Sequence, residues 1–341
     1  MAETQAKYHH LVPQTYMSAW AHGNGTLNVE FLDSPGNIVE RNKEKIAGIT
    51  DFHSIKAGMP LCTEADADII FAPVLPYTVE YESNILQSSL DMNKYYYAFD
   101  NWNIKRVDGS LVSKKNIKRE IEKIKIKDVE ANWSTKYENN WALVVVKIEA
   151  AVLLAPNGSI PVFDKRYLIK FFPALDWRGF RSNQHFEESY RALTCGLLDD
   201  LEIPEDERIL PSLKTAADEM RHNLLLQFYR KYLNDTGVIF EDAMANLQYT
   251  NFHFLIADGL TKFITSDSPA FIHRRDDEKL VCLLPITPRI LMAKGKCIED
   301  DDLYYVMHIT DEAVKRYNDS IRSNAEEFVI HQRVVDLFPR T

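Results

Sequence analysis

The segment Phe263-Ile264-Thr265-Ser266-Asp267-Ser268-Pro269 changes from apolar to polar within a few residues. Its apolar start predicts a buried strand, and Pro269 restricts the backbone directly after it. Asp267 is therefore expected at the end of a strand, a position where many binding and catalytic side chains are held. The segment predicts a C-terminal sheet and a carboxylate beside it.

Further strands are expected at both ends of the chain. Residues 27–31 alternate between apolar and polar side chains, and the turn-forming residues 33–37 follow them, which predicts an N-terminal hairpin. Residues 252–256 alternate in the same way. Asp258-Gly259 then predicts a tight turn into a return strand that begins at 262–265. Thr310 is expected to cap a helix over Asp311–Glu327, and Phe328–His331 should return to the sheet.

Helical patterns occupy the middle of the chain. Residues 137–155 are apolar on nearly all sides of a helix, so we expect this helix to be buried. A second helix is expected over 163–172, and Pro173 should kink or end it before a third over about 175–198. Residues 213–228 keep the spacing of a fourth helix.

These elements predict an α+β protein, with a central helical layer and a mixed or antiparallel sheet built from N-terminal and C-terminal strands. The chain has 341 residues, 45% of them apolar, and can bury a substantial core. We predict a single domain over residues 1–341. Its parts are sheet elements at about 25–50 and 247–335, a helical core at about 128–234 and a basic insertion at about 103–127.

Composition excludes several classes of protein. The net charge of −10 argues against a wholly basic nucleic-acid surface. The four cysteines are well separated and form neither a metal-binding pair nor a disulfide framework, as expected in a reducing cytoplasm. The longest apolar run is broken by charges and too short to span a bilayer, and the N-terminus lacks the pattern of a secretory signal. We predict a cytoplasmic protein without a membrane partner.

The segment Lys105–Lys127 is strongly basic, with nine Lys or Arg residues against three Asp or Glu. Two interpretations stay open. The charges belong to a solvated helix face, as charge runs usually do, or they form a surface that binds nucleic acid or a nucleotide.

Two residues are candidates for catalysis. Asp267 could bind a metal or act as a base, or it could accept hydrogen bonds from backbone amides in the turn together with Ser266. His10 could transfer a proton, because histidine titrates near neutrality. A lone histidine is also commonly a hydrogen-bonded structural residue, so both roles stay open.

A phosphate site is suggested by Arg178, Arg181 and His185. Their spacing of i, i+3 and i+7 would place them on one face of a helix. Guanidinium groups bind phosphate oxygens in pairs, so we predict Arg178 and Arg181 to be phosphate-binding residues. Glu187 and Glu188 leave an ordinary salt-bridged surface as the alternative.

Two further polar residues share helix faces with apolar ones. Glu138 lies on the face of Trp141 and Val145, so its carboxylate requires a partner or a metal. Asn318 lies among apolar residues of the C-terminal helix, and a buried amide must be hydrogen-bonded. Structural bridging is the alternative role for both.

Four segments, in order along the chain, resemble an uncharacterised family, the domain of unknown function 4238. The family's His-x-Val-Pro-x-x-Tyr-Leu-like opening corresponds to His10–Met17, with Met in place of the final Leu. Its Phe-Ile-Thr-Ser-Asp-x-Pro strand end is present at Phe263–Pro269, and a Pro-Leu-Ser-Pro-like segment corresponds to Pro285–Pro288. A helical Asn corresponds to Asn318. The resemblance spans nearly the whole chain and implies no activity.

The sequence contains no Gly-rich phosphate loop, Ser nucleophile elbow, His-Glu-x-x-His helix or Cys cluster. The leading hypothesis is an intracellular phosphodiesterase or nuclease that uses a divalent metal such as Mg²⁺ or Mn²⁺. The expected site consists of Asp267 and Glu138 for the metal, Arg178 and Arg181 for phosphate, His10 for proton transfer, and Ser266 and Asn318 in support.

Two alternatives to this hypothesis are open. A metal-free enzyme would use Arg178 and His185 for acid–base chemistry. A non-catalytic sensing or adaptor protein would use the same polar residues only to fix a helix-and-sheet core. The acidic overall charge favours this last alternative, whereas the clustering of unusual polar residues favours an enzyme.

Overall fold

The structure of the chain is a computed structural model. It describes residues 8–155, 158–196, 198–245, 247–248, 250–274, 280–296 and 303–332. The strands are β1 (Tyr8–His10), β2 (Thr26–Phe31), β3 (Ile38–Asn42), β4 (Gly48–Thr50), β5 (Thr78–Tyr81), β6 (Asn84–Ile85), β7 (Asn103–Lys105), β8 (Gly158–Pro161), β9 (Thr250–Ala257), β10 (Thr265–Ser266), β11 (Phe271–Arg274), β12 (Leu280–Thr287), β13 (Ile290–Lys296), β14 (Leu303–Ile309) and β15 (Phe328–His331).

Most of the helices lie in the middle of the chain, between the N-terminal and C-terminal strands. They are α1 (Gln14–Met17), α2 (Glu64–Ile70), α3 (Ser89–Lys94), α4 (Lys114–Lys123), α5 (Asp128–Trp133), α6 (Asn139–Leu154), α7 (Lys165–Asp176), α8 (Glu187–Thr194), α9 (Ala216–Leu233), α10 (Val238–Ala245) and α11 (Asp311–Asn324). The predicted α+β class is confirmed.

Contacts between residues divide the chain into two compact units. The small unit contains residues 51–131 and 190–230, and the sheet unit contains residues 8–50, 132–189 and 231 onward. This division does not test whether residues 1–341 form a single domain, which stays a prediction.

The sheet unit is built on a six-stranded sheet with the order β11-β12-β13-β9-β14-β8. Neighbouring strands are antiparallel except β9 and β14, which are parallel. A second sheet has the order β10-β15-β2-β3. One apolar cluster joins the two sheets to α11, and its buried members include Leu255, Phe263, Leu291, Val314, Ile321 and Val329.

Several predicted elements of the sheet unit are confirmed. β2 and β3 form the N-terminal hairpin, in which Val29 pairs with Val39. Thr310 begins α11, and its hydroxyl accepts a hydrogen bond from the amide of Ala313 at 3.3 Å, as a helix N-cap does. Phe328 returns the chain to the second sheet on β15, next to β2.

The helix predicted over 175–198 is wrong. Pro173 lies inside α7, which continues only to Asp176. A proline ring removes one backbone hydrogen bond and clashes with the preceding turn, so the helix ends soon after it. A short 3₁₀ turn, Ser182–Phe186, then leads into α8.

The hairpin predicted at Asp258-Gly259 is also wrong. β9 pairs with β13 and β14, whereas β10 pairs with β15 in the other sheet. Asp258 does not lie in a tight turn between paired strands. Its carboxylate binds His308 and Arg289. Gly259 lies so close to Asp311 that a Cβ atom at this position would be 2.0 Å from the Asp311 Oδ1 atom. The glycine therefore permits a close approach between two segments.

The helix predicted over 137–155 is not buried on all sides. α6 packs through Trp141, Val144 and Ile148, but Leu153 is 68% exposed and Leu154 is 87% exposed. Apolar residues around a whole helix therefore do not imply complete burial in this chain.

The small unit contains the basic segment. Ile117 and Ile121 of α4 are buried in its core beside a three-stranded sheet with the order β6-β5-β7. Several cations of the segment bind carboxylates of the same unit: Lys105 with Glu80, Lys118 with Asp100, Lys123 with Glu120 and Lys125 with Asp51. These contacts favour a solvated helix face, and the nucleic-acid surface stays a prediction.

Within the described residues, no helix is long and apolar enough to cross a bilayer. The cytoplasmic location stays a prediction.

A buried ion pair joins three elements of the sheet unit. Glu30 on β2 is 5% exposed, and both of its oxygens accept hydrogen bonds from Arg322 of α11, at 2.8 and 2.7 Å. It also accepts from the Gly36 amide at 2.9 Å and lies 2.7 Å from the ring of His331 on β15. These donors, Arg322 foremost, lower the pKa of Glu30 to about 2.

Glu30 should make the sheet unit sensitive to acid. Its pKa is lower in the folded than in the unfolded chain, so its contribution is present above pH 4.5 and is lost as the pH falls toward about 2. We expect Glu30→Gln to lower the free energy of unfolding at pH 7. The difference in this free energy between wild type and variant should become smaller below pH 4.5. Urea unfolding at several pH values measures the difference. A difference that does not change with pH, or one equally large for the exposed control Glu312→Gln, would contradict this role of Glu30.

Candidate ligand-binding pocket

A cavity of about 740 Å³ lies in the sheet unit, bounded by α7, α10 and one face of the six-stranded sheet. Small-molecule sites typically measure roughly 300–1,000 Å³ and are mostly apolar with a few polar groups. This cavity has that character. Its apolar lining includes Phe172, Pro173, Leu175, Trp177, Val238, Ile239, Phe271 and Ile272.

The strand register forms the floor of the cavity. Ile272 of β11 pairs with Cys282 of β12, and Cys282 pairs with Lys294 of β13. Paired residues of neighbouring strands point to the same face, so the three side chains form one row. Among the described residues, no carboxylate forms an ion pair with the Lys294 ammonium. Burial raises the pKa of the Cys282 thiol, while Lys294 opposes that shift.

Contacts within the helical wall fix α10 against α7. Lys170 of α7 forms an ion pair with Asp235 at 2.5 Å, and its ammonium lies 5.5 Å from the centre of the Phe240 ring. The hydroxyl of Tyr232 donates to the Lys170 carbonyl at 2.5 Å. The helical wall contributes two carboxylates to the cavity lining, Asp176 and Asp242.

Arg181 forms the centre of the polar wall. Its Nε donates to Gln184 at 3.0 Å and lies 3.2 Å from a carboxylate oxygen of Glu326. Its Nη1 donates to the carbonyl and side-chain oxygens of Asn324, at 3.1 and 3.0 Å. In the described part of the chain, the Nη2 group makes no hydrogen bond. The guanidinium is therefore held in place with two donors unused.

Ser268 lies beside this wall and is 6% exposed. Its amide donates to the Ser266 hydroxyl at 3.2 Å, and its carbonyl accepts from Asn324 at 2.7 Å. The Ser268 hydroxyl is buried and has no hydrogen-bond partner among the described residues. Since buried polar groups are almost always hydrogen-bonded, this hydroxyl offers a contact for a molecule in the cavity.

Asp267 is buried directly before Ser268, and its carboxylate binds backbone amides. Oδ1 accepts from Glu326 at 2.9 Å, and Oδ2 accepts from Glu327 at 2.5 Å and from Phe328 at 3.1 Å. Burial raises the pKa of Asp267 to about 6, against the effect of these three amides. The carboxylate thus joins the end of β10 to the segment that carries Glu326 toward Arg181.

Arg178 and Arg181 do not share a helix face, because α7 ends at Asp176. Arg178 is 1% exposed, its Nε donates to the His10 carbonyl at 2.7 Å, and its guanidinium lies 4.7 Å from the centre of the Trp133 ring. The structure therefore brings Arg178 to the backbone of His10 and Arg181 to the cavity. The side chain of His185 is outside the described part of the structure.

The remaining predicted residues also have identified contacts. The His10 ring lies 3.3 Å from the Glu44 carbonyl and 3.2 Å from the Gln14 amide nitrogen. The Asn318 side chain accepts from the Ile264 amide at 3.1 Å and donates to the Lys262 carbonyl at 2.8 Å. Asn318 therefore bridges α11 to the strand that contains Ser266, as its structural alternative implies.

Glu138 lies in a single π-helical turn, where its Oε2 accepts from the Ser134 hydroxyl at 3.4 Å. Among the described residues, neither Glu138 nor Asp267 belongs to a group of three His, Cys, Asp or Glu side chains spaced to hold a metal. A metal bound by this pair stays a prediction.

The small unit contains two buried histidines, His53 and His222, that the sequence analysis did not single out. His53 binds the carboxylate of Glu130, and the His222 ring lies 3.0 Å from the Phe52 carbonyl. Burial, with a smaller effect of His53, lowers the pKa of His222 to about 3, so this ring is neutral at physiological pH.

Several residues of the pocket were not predicted from the sequence, among them Trp177, Ser268 and Lys294. The sequence could have indicated Lys294. This charged residue follows the alternating pattern of an apolar strand, and the pattern places it on the inward face of that strand. Ser268 and Trp177 lie in turns, where no periodic pattern indicates which way a side chain points.

A comparison with family models matches residues 8–334 to the family described as "Protein of unknown function (DUF4238)". The chain belongs to this family. No curated protein and no solved structure matches the chain.

The segments that carry the family resemblance meet at Tyr16, which is fully buried. Its hydroxyl donates to the Pro285 carbonyl at 2.7 Å and lies 2.8 Å from the Thr265 hydroxyl. Trp20, one turn further, donates to the Phe263 carbonyl at 2.9 Å. This Tyr16 junction ties the N-terminal segment of the family to both C-terminal segments.

Removing the hydroxyl of Tyr16 should destabilise the fold. Tyr16→Phe removes one hydrogen bond from a buried carbonyl and one from a buried hydroxyl, and an unmet buried polar group typically costs ~1–3 kcal/mol. We expect a loss of about 2 kcal/mol or more in the free energy of unfolding, measured by urea denaturation. Tyr317→Phe is the matched control, since the Tyr317 hydroxyl makes no hydrogen bond with a described residue. Equal losses in the two variants would contradict the role of the junction.

Proposed function

We propose that the cavity of the sheet unit binds a small organic molecule with an apolar body and an anionic group, and that the chain is a non-catalytic sensing or adaptor protein. The observation that carries this proposal is the polar wall. Arg181 is fixed by Gln184 and Asn324 but keeps two donors unused, and the buried hydroxyl of Ser268 lies beside it without a partner. A ligand anion would satisfy both groups.

The rest of the lining supports a ligand of mixed character. Phe172, Trp177 and Phe271 offer aromatic surface to an apolar or planar body. Lys294 on the floor supplies a second cation. Asp176 and Asp242 on the helical wall favour hydrogen-bond donors on the opposite side of the ligand.

The contacts of the predicted catalytic residues support the non-catalytic alternative. Asp267 accepts from three backbone amides, and Asn318 binds two backbone groups. The His10 ring lies against Glu44 and Gln14. Each of these groups has a structural task that accounts for a polar residue at its position.

A phosphodiesterase or nuclease is the second candidate. The position of Arg181 at the cavity and the raised pKa of Asp267, about 6, favour it, because an acid–base catalyst works best when its pKa lies near the working pH. This candidate requires a Mg²⁺ or Mn²⁺ ion held by Asp267 and Glu138. It also requires a nucleic acid or nucleotide that binds through Arg178 and the segment Lys105–Lys127.

The anion site can be tested with 1-anilinonaphthalene-8-sulfonate, which carries a sulfonate on an aromatic body and fluoresces when it binds. We expect saturable binding that Arg181→Gln weakens about tenfold or more, since a hydrogen bond to a charged group contributes ~1.5–3 kcal/mol. Ala243→Phe should abolish binding, because Ala243 lines the cavity and is buried.

The exposed cation Lys315 provides the control variant, Lys315→Gln, which should bind the dye like the wild type. Dye binding that neither Arg181→Gln nor Ala243→Phe changes would remove this cavity from the proposed function.

The two candidates differ in what Asp267→Asn does. If Asp267 is structural, this variant loses an acceptor for a backbone amide and should lose about 1–3 kcal/mol of stability, measured by urea unfolding. The wild type should not cleave bis(p-nitrophenyl) phosphate or single-stranded RNA in Mg²⁺ or Mn²⁺. EDTA-sensitive cleavage that disappears in a fully stable Asp267→Asn protein would establish the phosphodiesterase instead.

A further inference from the structure

A second depression, of about 500 Å³, lies in the sheet unit along α6. We name it the α6 groove. It shares no lining residue with the cavity described above. Its lining comes from α1, from α6, from the segment between β9 and β10 and from the turn between β12 and β13. It includes Thr15, Trp141, Val145, Lys262, Pro288 and Arg289.

Two lining residues of the α6 groove have polar atoms without a partner. Trp141 is 1% exposed, and its indole Nε1 is buried with no hydrogen-bond acceptor among the described residues. The hydroxyl of Thr15 is in the same state. The Trp141 ring stacks on Phe171 with centroids 4.1 Å apart and planes at 7°, which fixes the orientation of its N–H group. An indole N–H can only donate, so it requires an acceptor.

Cationic donors line the groove as well. The Lys262 ammonium donates to the carbonyls of Ala257 and Gly259, at 3.1 and 2.7 Å, and so keeps one of its three protons for another acceptor. The Arg289 guanidinium binds Asp258 through Nη2 alone, at 3.3 Å. Glu149 is the lining carboxylate. The charged side chains of the lining are therefore two cations and one carboxylate.

The rest of the lining is apolar. Ala142, Val145 and Pro288 border the groove, and the neighbouring residues Leu143 and Val146 of α6 are each 59% exposed. A ligand whose charged end binds the donors would thus place its aliphatic body on apolar surface, where removing carbon from water favours binding.

We infer that the α6 groove is a second binding site, which takes an anionic oxygen group, carboxylate or phosphate, on a short aliphatic chain. The indole of Trp141, the hydroxyl of Thr15 and the two cations supply the donors. This inference is independent of the proposed function, because the two sites have no residue in common.

The indole N–H of Trp141 is itself the reporter. In ¹⁵N–¹H spectra each tryptophan indole gives its own peak, and Trp141→Phe identifies the peak of Trp141. Hexanoate and hexyl phosphate are the two probes, and hexylammonium, with the same chain and the opposite charge, is the control. We expect a saturable shift of the Trp141 peak with one or both anions and none with hexylammonium. The anion that binds more tightly identifies the source of the oxygen group.

Variants locate the site. Arg289→Gln and Lys262→Gln should each weaken binding about tenfold, the usual loss for one charge-assisted hydrogen bond. Arg181→Gln and Lys315→Gln should leave it unchanged, which separates this groove from the cavity. Because Arg289 is more than half exposed, Arg289→Gln keeps the test valid if Lys262→Gln fails to fold.

Any of three results would overturn the inference. The first is a Trp141 peak that shows no saturable shift with either anion, and the second is a peak that shifts equally with hexylammonium. The third is a folded Arg289→Gln protein that binds the anions as tightly as the wild type. The first result would assign water as the partner of the indole.

Discussion

The buried carboxylate of Asp267 is the constraint on which the sheet unit depends. A charge removed from water is stable only when hydrogen-bond donors surround it, and in this chain the backbone supplies three of them, from Glu326, Glu327 and Phe328. This requirement holds the end of β10 against the start of β15. It also fixes where the chain leaves α11, and therefore where Asn324 and Glu326 are placed.

The polar wall of the cavity follows from this arrangement. Arg181 takes its position from Asn324 and Glu326, and Asn324 in turn holds the carbonyl of Ser268. Asp267 thus helps to build a wall of the cavity without being one of its lining residues. Its contacts with the backbone amides and the unused donors of Arg181 belong to one network, which would connect stability to the ligand binding proposed above.

Sequence patterns predicted the parts of the fold that depend on local periodicity and capping. The hairpin at residues 27–39, the helix that begins at Thr310 and the strand at Phe328 are such parts. In contrast, the predictions were wrong where contacts between residues far apart in the sequence decide the structure. Gly259 looks like a turn residue, but it is its lack of a side chain that permits a close contact with Asp311. The stripe of Arg178 and Arg181 was expected on a helix that ends at Asp176, because i, i+3 spacing says nothing about where a helix stops. Of the residues that line the cavity, Arg181 was a candidate from the sequence, whereas Lys294 and Ser268 reach the lining only when three strands and a turn are assembled.

Asp267 positions the polar wall of the pocket through the amides of residues 326–328. Hydrogen exchange of these amides, measured in wild type and in Asp267→Asn alongside the affinity for 1-anilinonaphthalene-8-sulfonate, tests this role. We expect the variant to lose protection at Glu326, Glu327 and Phe328, and its affinity for the dye to fall as well. A folded Asp267→Asn protein with unchanged protection at these amides and unchanged affinity would show that Asp267 does not hold this wall.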